Sequence, residues 1–455
     1  MMTGLPDPRP VDRHATDRRR YLFGLFTSSI GGGMVSLVGS YLIYQKTHHA
    51  SAVALIIVFS NVPALFLPTV ATKLAHRWGG PKDYVAIWGA YYFLSLIPFV
   101  LDLTGHLSAT NLLAWFLLEG IVQGLVTPAA GLVRTILAPP EIAAEFNGSV
   151  TRTISLATVI GILAAGGALA LVGPGWIFLF VGLSGAPLVL AVVPLISATS
   201  TATAGPPPRF SQARAVQREN PEIRAAFRFA LVIFLLSGYA VTLPSIADGI
   251  GHRAIILSSL QAAAVVGGLF VVVGVRFIHR RTTWINVQRA CVAIIAAAVL
   301  YLGWVALRDH PPHWYLITAM VAIIPLGFAL NLDSSILNAA VQVATPSESR
   351  ASVLTAFALV PMIALPLSEV VISGMSDLVS VSFSLMVLGG VTLLLVILPR
   401  HASVRTAFSA LDDEHLFPEE ALDGAITIGR IEDAGQAIAD QVVGPEIPFL
   451  DERER

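Results

Sequence analysis

The sequence predicts an all-α membrane protein with twelve transmembrane helices in two pseudo-symmetric six-helix bundles, and three observations carry this prediction. First, 55% of the 455 residues are hydrophobic and 13% are charged, whereas a soluble domain carries about 25% charged residues. Second, apolar runs of about 20 residues, the length of a spanning helix, recur along the chain. Third, Lys and Arg are distributed unevenly between alternate loops.

The apolar runs define twelve predicted spans. Alternation of the membrane-barrel type is absent, so we interpret the runs as helices. Several contain proline, which spanning helices tolerate because neighbouring groups satisfy the freed backbone. We place the spans near residues 21–44, 51–73, 83–103, 110–134, 150–172, 175–196, 224–247, 254–278, 288–307, 313–338, 351–374 and 377–399.

The distribution of basic residues predicts the orientation. With the N-terminus in the cytoplasm, 25 of the 28 Lys and Arg fall on the cytoplasmic side, and Lys46, Arg253 and Arg308 fall outside. A wrong number of spans would exchange loops between the two sides and blur this asymmetry. We therefore expect a multi-pass protein of the plasma (inner) membrane with both termini cytoplasmic. The first run is too long for a cleavable signal, so we expect it to remain as the first helix.

The only long internal polar stretch, 197–223, is rich in Pro, Ser and Thr and predicts a cytoplasmic linker. It separates an N-terminal six-helix bundle at 21–196 from a C-terminal six-helix bundle at 224–399. Residues 1–20 form a predicted cytoplasmic N-terminal tail. Residues 400–455 form a predicted acidic cytoplasmic tail, for which we expect disorder or a loose surface helix. Such an internal duplication is the recurring plan of secondary transporters.

Related basic motifs follow the second and the eighth predicted spans: KLAHRWGGPK at 73–82 and RFIHRRTTW at 276–284. The first resembles the loop between the second and third helices of the major facilitator superfamily, whose pattern is G-x-x-x-D-R-x-G-R-[RK]. Arg77 and Gly79 match, and His76 stands where Asp is usual. The alternative is that both motifs are ordinary positive-inside charges. The resemblance implies cytoplasmic gating loops built from His76, Arg77, Gly79, His279 and Arg280.

The stretch 128–167 resembles the drug and siderophore exporter branch of that superfamily. The branch often reads P-x-x-x-x-x-x-R-x-x-L-x-P-x-E, then A-N, then R and a Gly-rich fifth helix. The residues that match in type and approximate order are Pro128, Arg134, Pro140, Glu141, Asn147, Arg152, Gly161, Gly166 and Gly167. We expect charges at helix ends or between the bundles at Arg134, Glu141, Arg152 and Glu348.

Polar groups inside spans are costly and are therefore functional candidates. The carboxyl groups are Glu119, Asp333 and Glu369. The resemblance implies that helices 1, 2, 4, 5, 7, 8, 10 and 11 line a central cavity. There, these groups would exchange protons or contact a cationic substrate, because apolar surroundings disfavour an ionised carboxylate. The alternatives are interhelical hydrogen bonding or a position at the cytoplasmic water boundary. Further polar candidates for the cavity are Asn61, Gln123 and Asn331.

The sequence predicts no catalytic residues, no metal site and no cofactor, and therefore no enzyme. Cys291 is the single cysteine, and a Walker motif for ATP hydrolysis is absent. The hypothesis is a monomeric secondary transporter in the lipid bilayer, an antiporter that couples efflux of amphipathic or hydrophobic small molecules to protons by alternating access. No nucleic-acid partner is expected. Two alternatives remain: a proton-coupled importer of a nutrient or metabolite, and a non-transporting membrane sensor or scaffold with the same fold.

Overall fold

The structure is a computed structural model of the chain. It describes residues 15–67, 81–138, 142–196, 210–251, 253–271, 274, 283–308, 312–346 and 348–397.

The described residues form twelve apolar helical segments, as the sequence predicts. Nine are long and apolar enough to cross a membrane, and three shorter apolar helices, α2, α8 and α12, complete the set. The helices are α1 Ala15–Thr47, α2 Ala50–Phe66, α3 Pro81–Leu94 with Leu96–Leu103, α4 Ala109–Leu137, α5 Ala143–Leu171, and α6 Pro174–Ser184 with Ala186–Val192 and Val193–Ile196. The second half contains α7 Pro221–Leu235 with Gly238–Thr242 and Leu243–Gly251, α8 Ala254–Leu269, α9 Trp284–Ala306, α10 Trp314–Ala344, α11 Arg350–Leu378 and α12 Val381–Ile397.

Several helices start earlier than their predicted spans, because helices continue past the apolar run into the polar zone. Helix α1 begins at Ala15, inside the predicted tail 1–20. The predicted linker contains a helix of its own, Phe210–Glu219, which we call the linker helix. Its Ala213 is buried although the segment is polar overall, and composition alone did not reveal this docked face. Residues 197–209 and the tail from 398 onward lie outside the described part of the chain.

Helix packing follows a pseudo-symmetric plan. In the first bundle α1 packs on α5, α2 on α4, and α3 on α6. The second bundle repeats this pattern, with each helix number raised by six: α7 packs on α11, α8 on α10, and α9 on α12. The two bundles meet along α2 with α11 and along α5 with α8.

A glycine allows close helix approach at equivalent places in the two bundles. A Cβ on Gly120 of α4 would lie 2.2 Å from the carbonyl oxygen of Phe59 in α2. A Cβ on Gly327 of α10 would lie 2.0 Å from the carbonyl oxygen of Ala264 in α8. Any side chain at either position would force the backbones apart. The pairs α2–α4 and α8–α10 are therefore fixed at short distance, and this places Glu119, the residue before Gly120, beside α2.

Large apolar side chains are exposed around the bundle, as a lipid-facing surface requires. Phe23, Leu190 and Val321 are exposed by 63%, 68% and 63%. A soluble protein seldom exposes apolar area on this scale. The chain is a multi-pass membrane protein.

Candidate functional site

An interruption in α7 lies at the boundary between the bundles. The helix is broken between Leu235 and Gly238 and continues through a 3₁₀ turn. The Ser368 hydroxyl of α11 donates a 2.6 Å hydrogen bond to the Leu235 carbonyl. A Cβ on Gly238 would lie 2.4 Å from Oγ of Ser368 and 2.9 Å from its carbonyl carbon. Helix α11 therefore packs directly on the interruption. Its Ser368 hydroxyl bonds a backbone carbonyl that the break in α7 leaves without a helical partner.

Glu369, the next residue of α11, is buried beside this interruption, with 6% of its surface exposed. Its Oε2 forms no hydrogen bond within the described part of the chain. Tyr239 of the 3₁₀ turn lies close enough to interact electrostatically with the carboxyl group. Helix α11 and the 3₁₀ turn both also contact α2 of the first bundle. A buried carboxyl group with an unpaired oxygen is thus carried by a helix that joins the two bundles.

Glu119 lies among helices of the first bundle. Its Oε2 accepts a 3.3 Å hydrogen bond from the Ser60 hydroxyl of α2, and its Oε1 accepts a 3.4 Å hydrogen bond from the Tyr91 hydroxyl of α3. The Tyr91 ring belongs to an aromatic cluster with Trp88 and Trp115, at centroid distances of 5.2 and 6.4 Å. Both oxygens of Glu119 therefore have donors, and the carboxyl group links α2, α3 and α4.

Asp333 of α10 faces α9, in the second bundle. It is 1% exposed, and its carboxyl group interacts with Gln288 and Cys291, which lie on one face of α9. Neither carboxylate oxygen forms a well-directed hydrogen bond to a described residue. The resemblance to known transporters placed α10 at the cavity but not α9. Asp333, Glu119 and Glu369 therefore have three separate sets of neighbours.

The uncharged polar candidates serve mainly their own helices. The Asn61 amide donates a 2.9 Å hydrogen bond to the Ile57 carbonyl, and the Asn331 amide donates a 2.8 Å hydrogen bond to the Gly327 carbonyl. Each acceptor lies one turn earlier in the same helix. Gln123 is half-buried on α4, one turn beyond Glu119.

The predicted helix-end charges differ in their surroundings. Arg134 lies near the end of α4, where its Nε is buried and lacks an acceptor among described residues. Arg152 is exposed on α5, and Glu348 is exposed before α11. The main-chain oxygen of Glu348 accepts a 3.4 Å hydrogen bond from Gln212 of the linker helix. The predicted residues outside the described part of the chain are His76, Arg77, Gly79, Glu141, His279 and Arg280.

Hydrogen bonds connect the bundles near the end that carries the α1–α2, α7–α8 and α11–α12 connections. We call it the outer end, after the predicted topology. Gln45 of α1 donates a 3.4 Å hydrogen bond to Oδ1 of Asp248 in α7. Gln261 of α8 donates a 3.1 Å hydrogen bond to Oγ of Ser40 in α1. Asp377 of α11 accepts hydrogen bonds from the start of α2. Sequence analysis missed Asp248 and Asp377, because an acidic residue near a span end carries no distinctive signal.

Solved structures with the same fold are membrane transporters. The chain superimposes on the nucleoside transporter NupG with a TM-score of 0.67 and 13% identity, covering 86% of this chain and 99% of that one. An auto-inhibited peptide transporter of the POT family gives a TM-score of 0.64 at 13% identity, covering 88% and 97%. A bacterial homologue of the iron transporter ferroportin, in an inward-facing state, gives 0.61 at 14% identity, covering 88% and 99%.

At these identities the structural similarity defines the fold and not the substrate. A comparison with curated protein sequences finds no match. The family model described as Major Facilitator Superfamily matches residues 21–368, most of the chain. The twelve apolar helices, the two six-helix bundles and this match agree, and the chain belongs to the major facilitator superfamily of membrane transporters.

Proposed function

We propose that this protein is a secondary active transporter that exports amphipathic or hydrophobic small molecules in exchange for protons. In this proposal the two bundles expose a site between them to each side of the membrane in turn. The observation that carries the proposal is Glu369, a buried carboxyl group with an unpaired oxygen on α11, where the bundles meet.

Burial of Glu369 supports coupling to protons. An ionised carboxylate that is taken out of water without a partner costs several kcal/mol. Binding of a proton removes this cost, so the protonated group fits the packed boundary better than the charged one. Movement of the bundles would change the exposure of a group on α11, because α11 packs on α2 of the opposite bundle. Proton binding and bundle movement are then linked energetically.

The composition of the boundary supports an apolar substrate. The described helices α2 and α8, which both contact the opposite bundle, contain no Asp, Glu, Lys or Arg. A site for a sugar or an amino acid needs several fixed hydrogen-bonding or charged groups, whereas an amphipathic ligand needs mostly apolar walls with few polar groups. Glu369 supplies one such group and would also suit a cationic substrate.

The proposal also includes the orientation in the membrane, the bundle boundaries, the oligomeric state and the gating loops. The concentration of 25 of the 28 basic residues on one predicted side supports cytoplasmic termini, with the protein in the plasma membrane. The bundles would correspond to 21–196 and 224–399, and the protein would work as a monomer. The basic motifs around His76 and His279 would act as cytoplasmic gating loops.

Everted membrane vesicles with an imposed proton gradient test the proposal. We expect them to accumulate a fluorescent amphipathic cation, and a protonophore to release it. Vesicles without the protein and vesicles with the Glu369→Gln variant serve as controls. Gradient-driven uptake into right-side-out vesicles would instead identify an importer. Absence of gradient-dependent movement across a broad panel of amphipathic compounds would contradict the proposal.

The surroundings of Asp333 give a second prediction. An Asp333→Asn variant is expected to keep proton-driven transport, because Asp333 faces α9 and not the opposite bundle. The amide is neutral and therefore never carries the cost of a buried charge, so we expect the free energy of unfolding not to fall. The vesicle assay and a thermal unfolding curve measure the two effects. A variant that folds but no longer responds to the proton gradient would move the coupling site to Asp333.

A further inference from the structure

We infer that Asp377 is a positioning residue that ties the outer ends of the two bundles together, by capping a helix of the opposite bundle. The inference rests on the proposed alternating access and concerns which of its two states is favoured. It involves neither Glu369 nor a substrate-binding group.

Helix α2 lacks a cap of its own. It begins at Ala50, and the side chain of the preceding residue, His49, makes no capping hydrogen bond. The first N–H groups of a helix have no acceptor inside the helix and need one from elsewhere. Oδ1 of Asp377 accepts a 2.8 Å hydrogen bond from the Ala50 N–H, and Oδ2 accepts a 3.0 Å hydrogen bond from the Ser51 N–H. The cap of a first-bundle helix is therefore supplied by the second bundle.

The backbone N–H groups, and not the nearby imidazole, form the main connection. Nδ1 of His49 lies 3.7 Å from Oδ2 of Asp377, but the imidazole is 66% exposed while the carboxylate is 20% exposed. An ion pair that is this open to water contributes little. The two N–H groups, in contrast, are fixed in direction by α2, and they present the positive end of its dipole to the carboxylate.

The short connection before α2 prevents the start of α2 from following Asp377 when the bundles move apart. His48 has a φ of 53°, in the left-handed region, and only His48 and His49 separate α1 from α2. A turn this short holds the start of α2 against the end of α1. If the bundles separate at the outer end, α2 must therefore move with the first bundle, and both hydrogen bonds to Asp377 break together.

The cap consequently stabilises the state in which the outer end is closed. Separation leaves the α2 terminus without its carboxylate, a loss comparable to removing a helix cap. An Asp377→Asn variant keeps the shape but removes the charge and one acceptor oxygen. The weaker attraction to the helix dipole and the loss of one hydrogen bond should together raise the population open at the outer end about tenfold.

Cysteine accessibility measures this population without a substrate. In a Cys291→Ser background, Ala247→Cys places a thiol in α7, where Ala247 is 4% exposed and lines the narrow outer-end space with Tyr41 and Tyr44. In nanodiscs, where both faces are accessible, a hydrophilic maleimide should label this thiol about tenfold faster when Asp377 is Asn. An unchanged rate would overturn the inference.

Asp102 provides a matched control inside one bundle. Its Oδ2 accepts a 2.8 Å hydrogen bond from the Gly175 N–H at the start of α6, and both residues belong to the first bundle. Asp102→Asn likewise removes the charge that caps a helix, but within one bundle, and should therefore leave labelling of the cysteine at 247 unchanged. If both Asn variants accelerated labelling equally, the effect would be general destabilisation, and the inference would be wrong.

His49→Asp gives a second test that does not weaken α2. Asp is a favoured capping residue, so α2 gains an acceptor from its own bundle, and the new carboxylate repels Asp377. Faster labelling is expected, and unchanged labelling in this variant would again contradict the inference. The inference and the proposed function can fail separately. If both variants are labelled faster but the protein shows no gradient-driven transport, the role of Asp377 holds and the proposed export function is refuted. If the wild-type protein transports but labelling is unchanged in the variants, the export function holds and the role of Asp377 is refuted.

Discussion

Replacement of Glu369 by Gln is expected to abolish accumulation of substrate against its gradient. Gln has nearly the same shape but cannot take up or release a proton, so it mimics the neutral group permanently. The buried site beside Tyr239 accepts such a group without the cost of a buried charge. The bundles should therefore still exchange between their two states. Substrate should move only downhill, because no proton has to travel in the opposite direction.

The expected loss is at least about tenfold in gradient-driven accumulation, which corresponds to about 1.4 kcal/mol of lost coupling. Downhill equilibration of the same compound is the second readout, and we expect it to persist. Glu348→Gln is the matched control, because Glu348 precedes the same helix but is exposed. Gradient-driven accumulation by the Glu369 variant at the wild-type level would show that the proton is carried elsewhere, with Glu119 the next group to replace.

Hydropathy predicted the twelve helices because the free energy of placing a segment in lipid depends on its length and composition. Hydropathy does not detect a break within a helix. Residues around Gly238 remain apolar where α7 is broken, and α3 and α6 are likewise interrupted at Ser95 and Gly185. At such points the backbone departs from the helix while the side chains still suit the bilayer. Hydropathy therefore gave α7 as one continuous span.

The carboxyl groups could be found from the sequence because charges inside spans are rare, but their neighbours could not. A helix that is apolar all round has no amphipathic pattern to show which side faces protein. The rotation of α10 about its axis, which points Asp333 towards α9, is set by packing of small residues of α10, such as Gly327, against α8. The same holds for Glu119, whose contact with Tyr91 depends on how α3 and α4 pack.

The hydrogen bonds between Asp377 and the start of α2 could not be predicted from the sequence either. Capping motifs are recognised from residues within one turn of a helix start, whereas Asp377 is 327 positions from Ala50. Only the three-dimensional arrangement of the bundles brings the two together. The same argument applies to Asp248, which lies 203 positions from Gln45.

Alternating access requires the outer ends of the bundles to separate during every cycle, so a covalent link between them should stop transport. Gln45 and Asp248 are suitable positions, because the side-chain amide of one donates a 3.4 Å hydrogen bond to the carboxylate of the other across the boundary. In the Cys291→Ser background, Gln45→Cys with Asp248→Cys can be joined by a short bis-methanethiosulfonate reagent. The link would hold α1 to α7.

A pair within one bundle gives the control. The Asn111 amide in the first turn of α4 donates a 2.9 Å hydrogen bond to the main-chain oxygen of His106, which lies in the connection between α3 and α4 at the outer end. Cysteines at 106 and 111, treated with the same reagent, should leave transport unchanged. The single-cysteine variants at 45 and 248 control for modification without a link.

Transport by the linked 45–248 protein, measured before and after cleavage of the link with dithiothreitol, is the most direct test of a site that opens alternately between two moving bundles. Transport is predicted to be lost on linking and to return when the link is cleaved. Full transport while the link is intact would contradict the mechanism, since substrate would then cross the membrane without the outer ends coming apart.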